Sequence, residues 1–121
     1  MPRVTIGLPV YNGAAFIEQS IMSVLGQTFR DLELVISDNA STDDPLAVIE
    51  RCTGGDERVV VLRHDQNQGA AWNYNNVLAH ARGELFRWHA HDDWFEPTLI
   101  EELVAALDAA PDAVLAHSWT Q

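Results

Sequence analysis

Two adjacent carboxylates, Asp92 and Asp93, stand where a run of apolar residues ends. Neighbouring anions about 4 Å apart repel each other by roughly 4 kcal/mol at an effective dielectric constant near 20, so the pair needs a cation or hydrogen-bond donors. Trp88 and Trp94 flank the pair. Carboxylates that serve only solubility are usually scattered over solvated helix faces and are not placed between aromatic residues. The pair therefore indicates either a cation site or an Asp-rich turn before a helix near Pro97, and these residues alone do not decide between them.

The charge balance limits the ligands that the chain can bind unaided. Seven Arg and no Lys face eighteen Asp and Glu in 121 residues, which gives a formal net charge of -11. Because there is no basic cluster, we expect no nucleic acid partner and no attachment to an anionic membrane through basic residues. An anionic ligand would need a metal ion. The lack of Lys also excludes a P-loop and a phospho-aspartate receiver domain, since the chemistry of both depends on a Lys.

The single cysteine, Cys52, excludes an intrachain disulfide and a CxxC metal site. The first residues, MPRVTIGLPV, have the pattern of a strand and not of a signal peptide, and no run approaches eighteen consecutive apolar residues. We therefore expect a cytoplasmic protein, with attachment to the inner face of a membrane only in a longer form.

Short apolar runs alternate with segments of helical periodicity along the chain. The runs end at turn-forming residues and predict strands, whereas the segments between them predict helices that stop at Gly or Pro. The five predicted strands are residues 4–10, 32–37, 59–62, 84–89 and 113–117. The four predicted helices are residues 14–25, 45–52, 70–81 and 97–109.

This alternation predicts an α/β, Rossmann-like fold, with a mostly parallel sheet and helices on both faces. In such sheets ligands bind beyond the carboxyl ends of the strands, where the strand order reverses. If the order is 3-2-1-4, the residues that follow strands one, two and four meet at one edge. The polar residues at these positions are Tyr11, Asn12, Asp38, Asn39, Asp92 and Asp93.

The loop after the first strand, PVYNG, contains a single glycine. A dinucleotide fingerprint needs GxGxxG at this point, so we do not expect NAD binding. A sugar-phosphate nucleotidyltransferase would need a Gly-rich loop with Lys or Arg here, which is also missing. The carboxylates suit hydrogen bonds to a ribose and a base, and a hard divalent cation that bridges diphosphate oxygens.

Several segments, in order, resemble the N-terminal half of a GT-A glycosyltransferase of family 2, which transfers a sugar from a nucleotide diphosphate donor. VTIGLPVYNGAAFIEQSIMSVLGQTF is similar to the opening strand, P-x-Y-N loop and first helix, and LELVISDNASTDD to the second strand and its D-[ND]-x-S-x-D loop. NQGAAWNYNNVLAHARGELFRWHAHDDW is similar to the N-x-G loop, the following helix and the D-x-D region. Each motif alone is a weak signal, but their order and spacing are specific and cover essentially the whole chain.

Carried over by position, the resemblance implies a donor site at the ends of these strands. Pro9 and Tyr11 would line the base pocket, and Asp38 would accept a hydrogen bond from the base. Asp93 would be the main ligand of Mg²⁺ or Mn²⁺, which stabilises the departing diphosphate, and Asp92 would contact the ribose or share the metal. The other residues that the resemblance places in the nucleotide-sugar site are Asn12, Asn67, Gly69 and Asn73.

Two positions depart from the family pattern. Ala90 stands where many members have the first Asp of the D-x-D-D run, so the chain carries an HDD variant whose metal affinity is expected to be lower or shared with His91. Trp72 stands before Asn73 where many members have Arg, which removes a contact to the diphosphate.

The resemblance also implies inversion at the anomeric carbon, assisted by an Asp or Glu that deprotonates the acceptor hydroxyl. The family places this base and the acceptor-binding part beyond residue 121, so residues 1–121 are expected to be the donor-binding part of a truncated enzyme. The donor is expected to carry UDP, GDP or dTDP, and the acceptor to be a saccharide, a lipid or a protein. A non-catalytic module that binds a nucleotide-sugar, or an inactive fragment, is the alternative.

Several of these residues also have structural interpretations. Asp38 with Ser41, Thr42 and Asp43 is typical of an Asx turn followed by helix caps, and Tyr11 could pack at a strand end. The motif context favours ligand contact for Asp38 and Tyr11, and capping for Asp43.

Two further expectations concern packing and assembly. All four tryptophans, Trp72, Trp88, Trp94 and Trp119, are expected in the core, and Trp94 alone is placed where it could instead stack on a donor sugar. The predicted fifth strand and the tail SWTQ leave an exposed sheet edge, which predicts a homodimer through edge pairing.

Overall fold

Four strands and four helices alternate in the computed structural model, which describes residues 2–43, 45–89 and 96–109. The strands are β1 (Val4–Val10), β2 (Leu32–Asp38), β3 (Val59–Arg63) and β4 (Leu85–Trp88). The helices are α1 (Ile17–Leu25), α2 (Pro45–Thr53), α3 (Ala70–Ala79) and α4 (Leu99–Ala109). The predicted alternation is confirmed for these eight elements. The predicted fifth strand, residues 113–117, lies outside the described residues.

The described strands pair in parallel, in the order β3-β2-β1-β4. Val10 at the end of β1 pairs with Asp38 at the end of β2. The backbone N–H of His89 donates to the carbonyl of Gly7 at 2.8 Å, so the chain leaves β4 beside β1. This is the order under which the polar residues after the strands were expected to meet, and the loops after β1 and β2 emerge at one edge, next to the point where the order reverses.

Alternate residues of the two central strands face two different layers of helices. The face towards α1, α2 and α4 is lined by the fully buried aliphatic residues Ile6, Leu8, Leu34 and Ile36. On the opposite face, atoms of Phe86 and Val77 lie 2.7 Å and 2.9 Å from the position that a Cβ on Gly7 would take. Only glycine lets α3 approach the sheet this closely, and helices cover both faces as predicted.

A buried carboxylate at the amino ends of β1 and β2 ties the chain before β4 to the sheet. Oε2 of Glu33 accepts hydrogen bonds from the Thr5 hydroxyl at 2.7 Å and from the N–H of Arg82 at 2.8 Å. Oε1 accepts from Nε of Arg82 at 3.0 Å, and the N–H of Gly83 donates to the Thr5 hydroxyl at 2.9 Å. Burial opposes ionisation of Glu33, but the bonds from Thr5 and Arg82 outweigh it and hold its pKa below the ordinary value.

Some element ends differ from the predicted ones because of contacts that a local pattern does not show. α1 begins at Ile17 and not at residue 14, since the carbonyl of Gly13 accepts hydrogen bonds from the N–H groups of Phe16 and Ile17 and closes a turn. α3 ends at Ala79, two residues early, and α4 begins at Leu99, two residues late. No helix within the three described ranges has the length and apolar character needed to cross a bilayer.

The expectation that Trp72 and Trp88 lie in the core was wrong. They are 39% and 44% exposed. Trp88 ends β4, an outer strand of the described sheet, and its ring N–H donates to the carbonyl of Tyr74 at 3.1 Å. Trp72 lies on α3 and meets the ring of His64 edge-on, with ring centroids 4.7 Å apart.

Candidate functional site

The loops that leave β1 and β2 are joined by hydrogen bonds. The side-chain oxygen of Asn12 accepts from the N–H of Thr42 at 2.8 Å, and the N–H of Asn12 donates to the Ser41 hydroxyl at 2.9 Å. Oδ2 of Asp43 accepts from the N–H of Ala14 at 3.0 Å. Asn12 adopts a positive φ of 54°, which Asn tolerates better than most residues. The two loops therefore form one unit, and Asn12 and Asp43 both shape it.

Asp38 lies at the last position of β2 and is 3% exposed. Its Oδ1 accepts the N–H of Ser41 at 3.1 Å, which is the turn that the sequence pattern indicated. Its backbone carbonyl accepts the N–H of His64 at 3.1 Å, beyond the end of β3. The carboxylate thus shapes its own loop, and the described part of the chain uses one of its two oxygens for this purpose.

Asn39, the next residue, holds the loop between β3 and α3. Its Oδ1 accepts the N–H of Gln68 at 2.8 Å, and its Nδ2 donates to Oδ1 of Asn67 at 3.0 Å and to the carbonyl of Gly69 at 3.3 Å. Its own N–H donates to the carbonyl of Val10 at 2.9 Å. This 2% exposed side chain therefore connects β1 and β2 to residues 67–69.

A network of buried polar side chains fixes α3 on β2. The Ser37 hydroxyl donates to Oδ1 of Asn73 at 2.6 Å, and Nδ2 of Asn73 donates to the Ser37 carbonyl at 3.0 Å. The ring of His64 and the amide of Asn76 lie 2.9 Å and 3.2 Å from the same hydroxyl. The structure therefore gives Asn73 a structural role, and its contact with a ligand stays a prediction.

These loops surround a cavity of about 420 Å³ at the carboxyl edge of the sheet. A volume of this size is typical of small-molecule sites. Tyr11 and Tyr74 are 46% and 41% exposed, so aromatic rings are available for stacking. The cavity is lined by Pro9, Val10, Tyr11, Asn39, Asn67, Gly69, Ala70, Asn73 and Tyr74.

The structure brings most of the predicted nucleotide-site residues to this cavity. Those that line it are Pro9, Tyr11, Asn67, Gly69 and Asn73. Asn12 lies in the adjoining loop after β1 and Asp38 at the end of β2, and their side chains stabilise these loops. Asp92 lies outside the described residues.

Four residues of the lining, Val10, Asn39, Ala70 and Tyr74, were not predicted as site residues, and Asn39 and Tyr74 are the two with polar side chains. Asn39 had been placed at the correct sheet edge, and its position after a buried strand was the signal that could have identified it. Tyr74 had no such signal, because it lies inside α3 and reaches the cavity only through the packing of that helix on the sheet.

A larger groove, of about 560 Å³, lies between β4 and α4. Its lining is mainly apolar and includes Leu85, Ile100 and Leu107. Small-molecule sites need converging polar groups that orient the ligand. The smaller polar cavity, at the point where the strand order reverses, is therefore the better candidate.

The predicted metal ligands, Asp92 and Asp93, belong to residues 90–95, which are outside the described part of the chain. Across the described ranges, no group of three or more His, Cys, Asp or Glu side chains could hold a metal ion. The residue pair Gly7 and Trp88 ends the pairing of β1 with β4.

Comparison with known proteins gives one family and several related proteins. The family model for glycosyl transferase family 2 matches residues 5–120. The GalNAc(5)-diNAcBac-PP-undecaprenol beta-1,3-glucosyltransferase of Campylobacter jejuni is 34% identical over 94 residues, which are 77% of this chain and 30% of that protein. The chain spans less than half of the length of its most similar curated relatives.

Two solved structures superpose closely on the described fold. The mannosyltransferase PcManGT from Pyrobaculum calidifontis, in complex with GDP-Man and Mn²⁺, is 28% identical with a TM-score of 0.80, over 88% of this chain and 32% of that one. TarS from S. aureus, in complex with UDP-GlcNAc, is 25% identical with a TM-score of 0.82, over 90% of this chain and 32% of that one. The expected Rossmann-like GT-A fold is therefore confirmed.

Proposed function

Because the chain belongs to glycosyl transferase family 2, we propose that it forms the part of a glycosyltransferase that binds the nucleotide-sugar donor. The polar cavity at the point where the strand order reverses carries this proposal. Ligands of open parallel sheets bind at such points. The complexes of the related structures with GDP-Man and with UDP-GlcNAc support a nucleotide diphosphate sugar of the UDP, GDP or dTDP type.

In this proposal the base stacks on Tyr11 and packs against Pro9. Asp38, at the end of β2, accepts a hydrogen bond from an N–H of the base through its carboxylate. Asn67 and Gly69 form the opposite wall, in the position that Asn39 imposes on their loop. Aromatic stacking with a single charged acceptor holds a base without any basic residue, which agrees with the scarcity of positive charge in the chain.

Asp93, with Asp92, is proposed to hold Mg²⁺ or Mn²⁺. A chain of net charge -11 repels a diphosphate, so a cation is needed between them. The Mn²⁺ in the mannosyltransferase complex supports a divalent ion. When bound, the ion neutralises the diphosphate and stabilises it as a leaving group. Ala90 supplies no oxygen ligand, so metal affinity is expected to be lower than with a further Asp.

The transfer itself is proposed to invert the anomeric centre, with a carboxylate base beyond residue 121 that deprotonates the acceptor hydroxyl. Residues 1–121 alone are then expected to bind a donor without turnover. The Campylobacter jejuni relative is named for an undecaprenol-linked substrate, which supports a lipid-linked saccharide as the acceptor. A non-catalytic binding module is the second candidate, and sugar transfer by a longer form would exclude it.

A thermal-shift screen with UDP, GDP and dTDP, each with and without Mn²⁺, tests the donor site. We expect at least one nucleotide to raise the melting temperature by several degrees in the presence of Mn²⁺, because a ligand that binds only the folded state stabilises it. Asp93→Ala should abolish the part that depends on Mn²⁺, whereas Asp31→Ala, an exposed carboxylate before β2, should retain it. No shift with any of the three nucleotides would contradict the proposal.

We further propose that two copies pair through the sheet edge that the predicted fifth strand, residues 113–117, and the tail SWTQ leave exposed. These residues lie outside the part of the chain that the structure describes. Light scattering at high protein concentration should give the mass of a dimer, and the mass of a monomer would count against edge pairing.

A further inference from the structure

Tyr74 reaches the candidate cavity from the second turn of α3. It lines the cavity and is exposed, whereas Asn73 before it and Val77 one turn later are buried against the sheet. Side chains of a helix tilt towards its amino end, and α3 begins at Ala70, which also lines the cavity. The ring of Tyr74 is therefore directed to the edge of the sheet where ligands bind.

Trp88 holds Tyr74 from the side of β4. Its ring N–H donates to the carbonyl of Tyr74 at 3.1 Å, and the two ring centroids lie 6.2 Å apart with the ring planes at 42°. The ring of Phe86 meets the Trp88 ring edge-on, with centroids 5.1 Å apart. Aromatic rings at such separations attract each other. Tyr74 therefore has an aromatic neighbour that is itself held in place, and its ring remains accessible from the cavity.

The lining of the cavity favours an uncharged ligand group. None of the described side chains that line it carries a charge. The amides of Asn39 and Asn73 are already bonded to backbone and side-chain groups of the fold. The largest accessible groups are then the rings of Tyr11 and Tyr74, which are both exposed. Such a lining suits a flat, neutral ring better than a phosphate group.

We propose that Tyr74 is a second base-binding residue, and that the base of the nucleotide lies between the rings of Tyr11 and Tyr74. This inference rests on the proposed donor site. It places the neutral base inside the cavity and the diphosphate outside it, away from a lining without positive charge. Stacking on an aromatic ring tolerates every base, so Tyr74 contributes alike to uracil, thymine and guanine.

The test measures binding of UDP and GDP by calorimetry, and binding of uridine and guanosine by NMR titration. Tyr74→Ala removes the ring, whereas Tyr74→Phe keeps it. Trp72→Ala is the matched control, because it removes an aromatic ring of similar exposure from the same helix, outside the cavity. We expect Tyr74→Ala to weaken binding of the preferred nucleotide about tenfold, and the other two variants to stay within about threefold of the wild type. The nucleoside with the same base should lose affinity by the same factor.

A further variant, Tyr74→Leu, keeps the test decisive if Tyr74→Ala lowers stability. Leu is a strong helix former and leaves an apolar side chain beside Trp88, but it has no flat face for a base. We expect the same loss of nucleotide affinity as in Tyr74→Ala, with a free energy of unfolding in urea close to that of the wild type.

The outcomes separate the role of Tyr74 from the donor site itself. Wild-type affinity in Tyr74→Ala and Tyr74→Leu overturns the stacking role and leaves the donor site intact. An equal loss in Trp72→Ala also overturns it, because the loss would then reflect the packing of α3. A loss confined to the diphosphates, or a wild type that binds no nucleoside, contradicts a contact with the base. If the wild type binds no nucleotide either, the proposed donor site is wrong as well.

Discussion

At the residue scale, the side chains of the candidate site divide into those that the fold already uses and those that it leaves exposed. Asp38 and Asn39 each hold a loop, and both are almost completely buried. Tyr11 is nearly half exposed at the end of a strand whose other residues are buried. A residue needed only for packing would be covered at this position. A substitution of Tyr11 is therefore the best test of ligand binding that leaves folding stability nearly unchanged.

We predict that Tyr11→Ala weakens binding of the preferred nucleotide about tenfold, because stacking of a base on an aromatic ring contributes about 1–3 kcal/mol. The free energy of unfolding should change little, since the ring is largely exposed. Calorimetry and urea denaturation measure the two quantities. Phe16→Ala removes an aromatic ring of similar exposure just before α1 and should leave nucleotide affinity unchanged. Equal losses in both variants would refute a specific role for Tyr11.

At the scale of strands and helices, the existence of each element could be predicted from the sequence, whereas its ends could not. Buried parallel strands are continuous apolar runs, and the helices between them have a clear 3.6-residue period. The start of α1 depends instead on a turn at Gly13, and the start of α4 on the amide of Gln27, which is remote in sequence. The cavity wall at residues 67–69 likewise depends on Asn39, so only its N-x-G motif could be recognised in advance.

Gly69, before α3, has φ 93° and ψ 155°, a conformation that is essentially restricted to glycine. Gly69→Ala should therefore cost about 1–3 kcal/mol, either as lost stability or as a distorted cavity wall that weakens nucleotide binding. Gly55→Ala is the matched control, since Gly55 also has a positive φ and open space around it but lies between α2 and β3. It should lower stability in urea denaturation without lowering the affinity of the folded protein for nucleotide. If Gly69→Ala changed neither nucleotide affinity nor stability, the backbone at residue 69 would not require glycine, and the prediction would be wrong.

The buried cluster at the amino ends of β1 and β2 predicts a dependence of stability on pH. The folded-state pKa of Glu33 lies below its ordinary value of 4.5, so folding favours the ionised carboxylate. The stabilisation is complete above that ordinary value and is lost as the pH falls through the folded-state pKa. Glu33→Gln should lower the free energy of unfolding by about 1–3 kcal/mol at pH 7, and by less as the pH falls below 4.5.

Urea denaturation of both proteins at several pH values measures this difference. Glu50→Gln, on the exposed side of α2, serves as the control and should show no such trend. A difference between wild type and Glu33→Gln that stays constant down to acidic pH would contradict the assignment of this stabilisation to the ionised form.

At the scale of the whole molecule, the strand order brings together residues that are far apart in sequence. Because the connections of a parallel sheet follow few rules, the order β3-β2-β1-β4 and the edge shared by Tyr11, Asp38 and Asn67 could be predicted. The exposure of Trp88 could not, since it depends on which strand is outermost and on what lies beside it. The position of Tyr74 at the cavity could not be predicted either, because it depends on how α3 packs on the sheet.

The central claim is that one nucleotide diphosphate and one divalent cation share the carboxyl edge of the sheet. A crystal structure of the chain with UDP or GDP and Mn²⁺, with the anomalous signal of manganese, tests it most directly. We expect the base against Tyr11, a hydrogen bond from the base to Asp38, and a manganese peak at Asp93. A nucleotide bound in the groove between β4 and α4, or manganese bound away from Asp93, would contradict it.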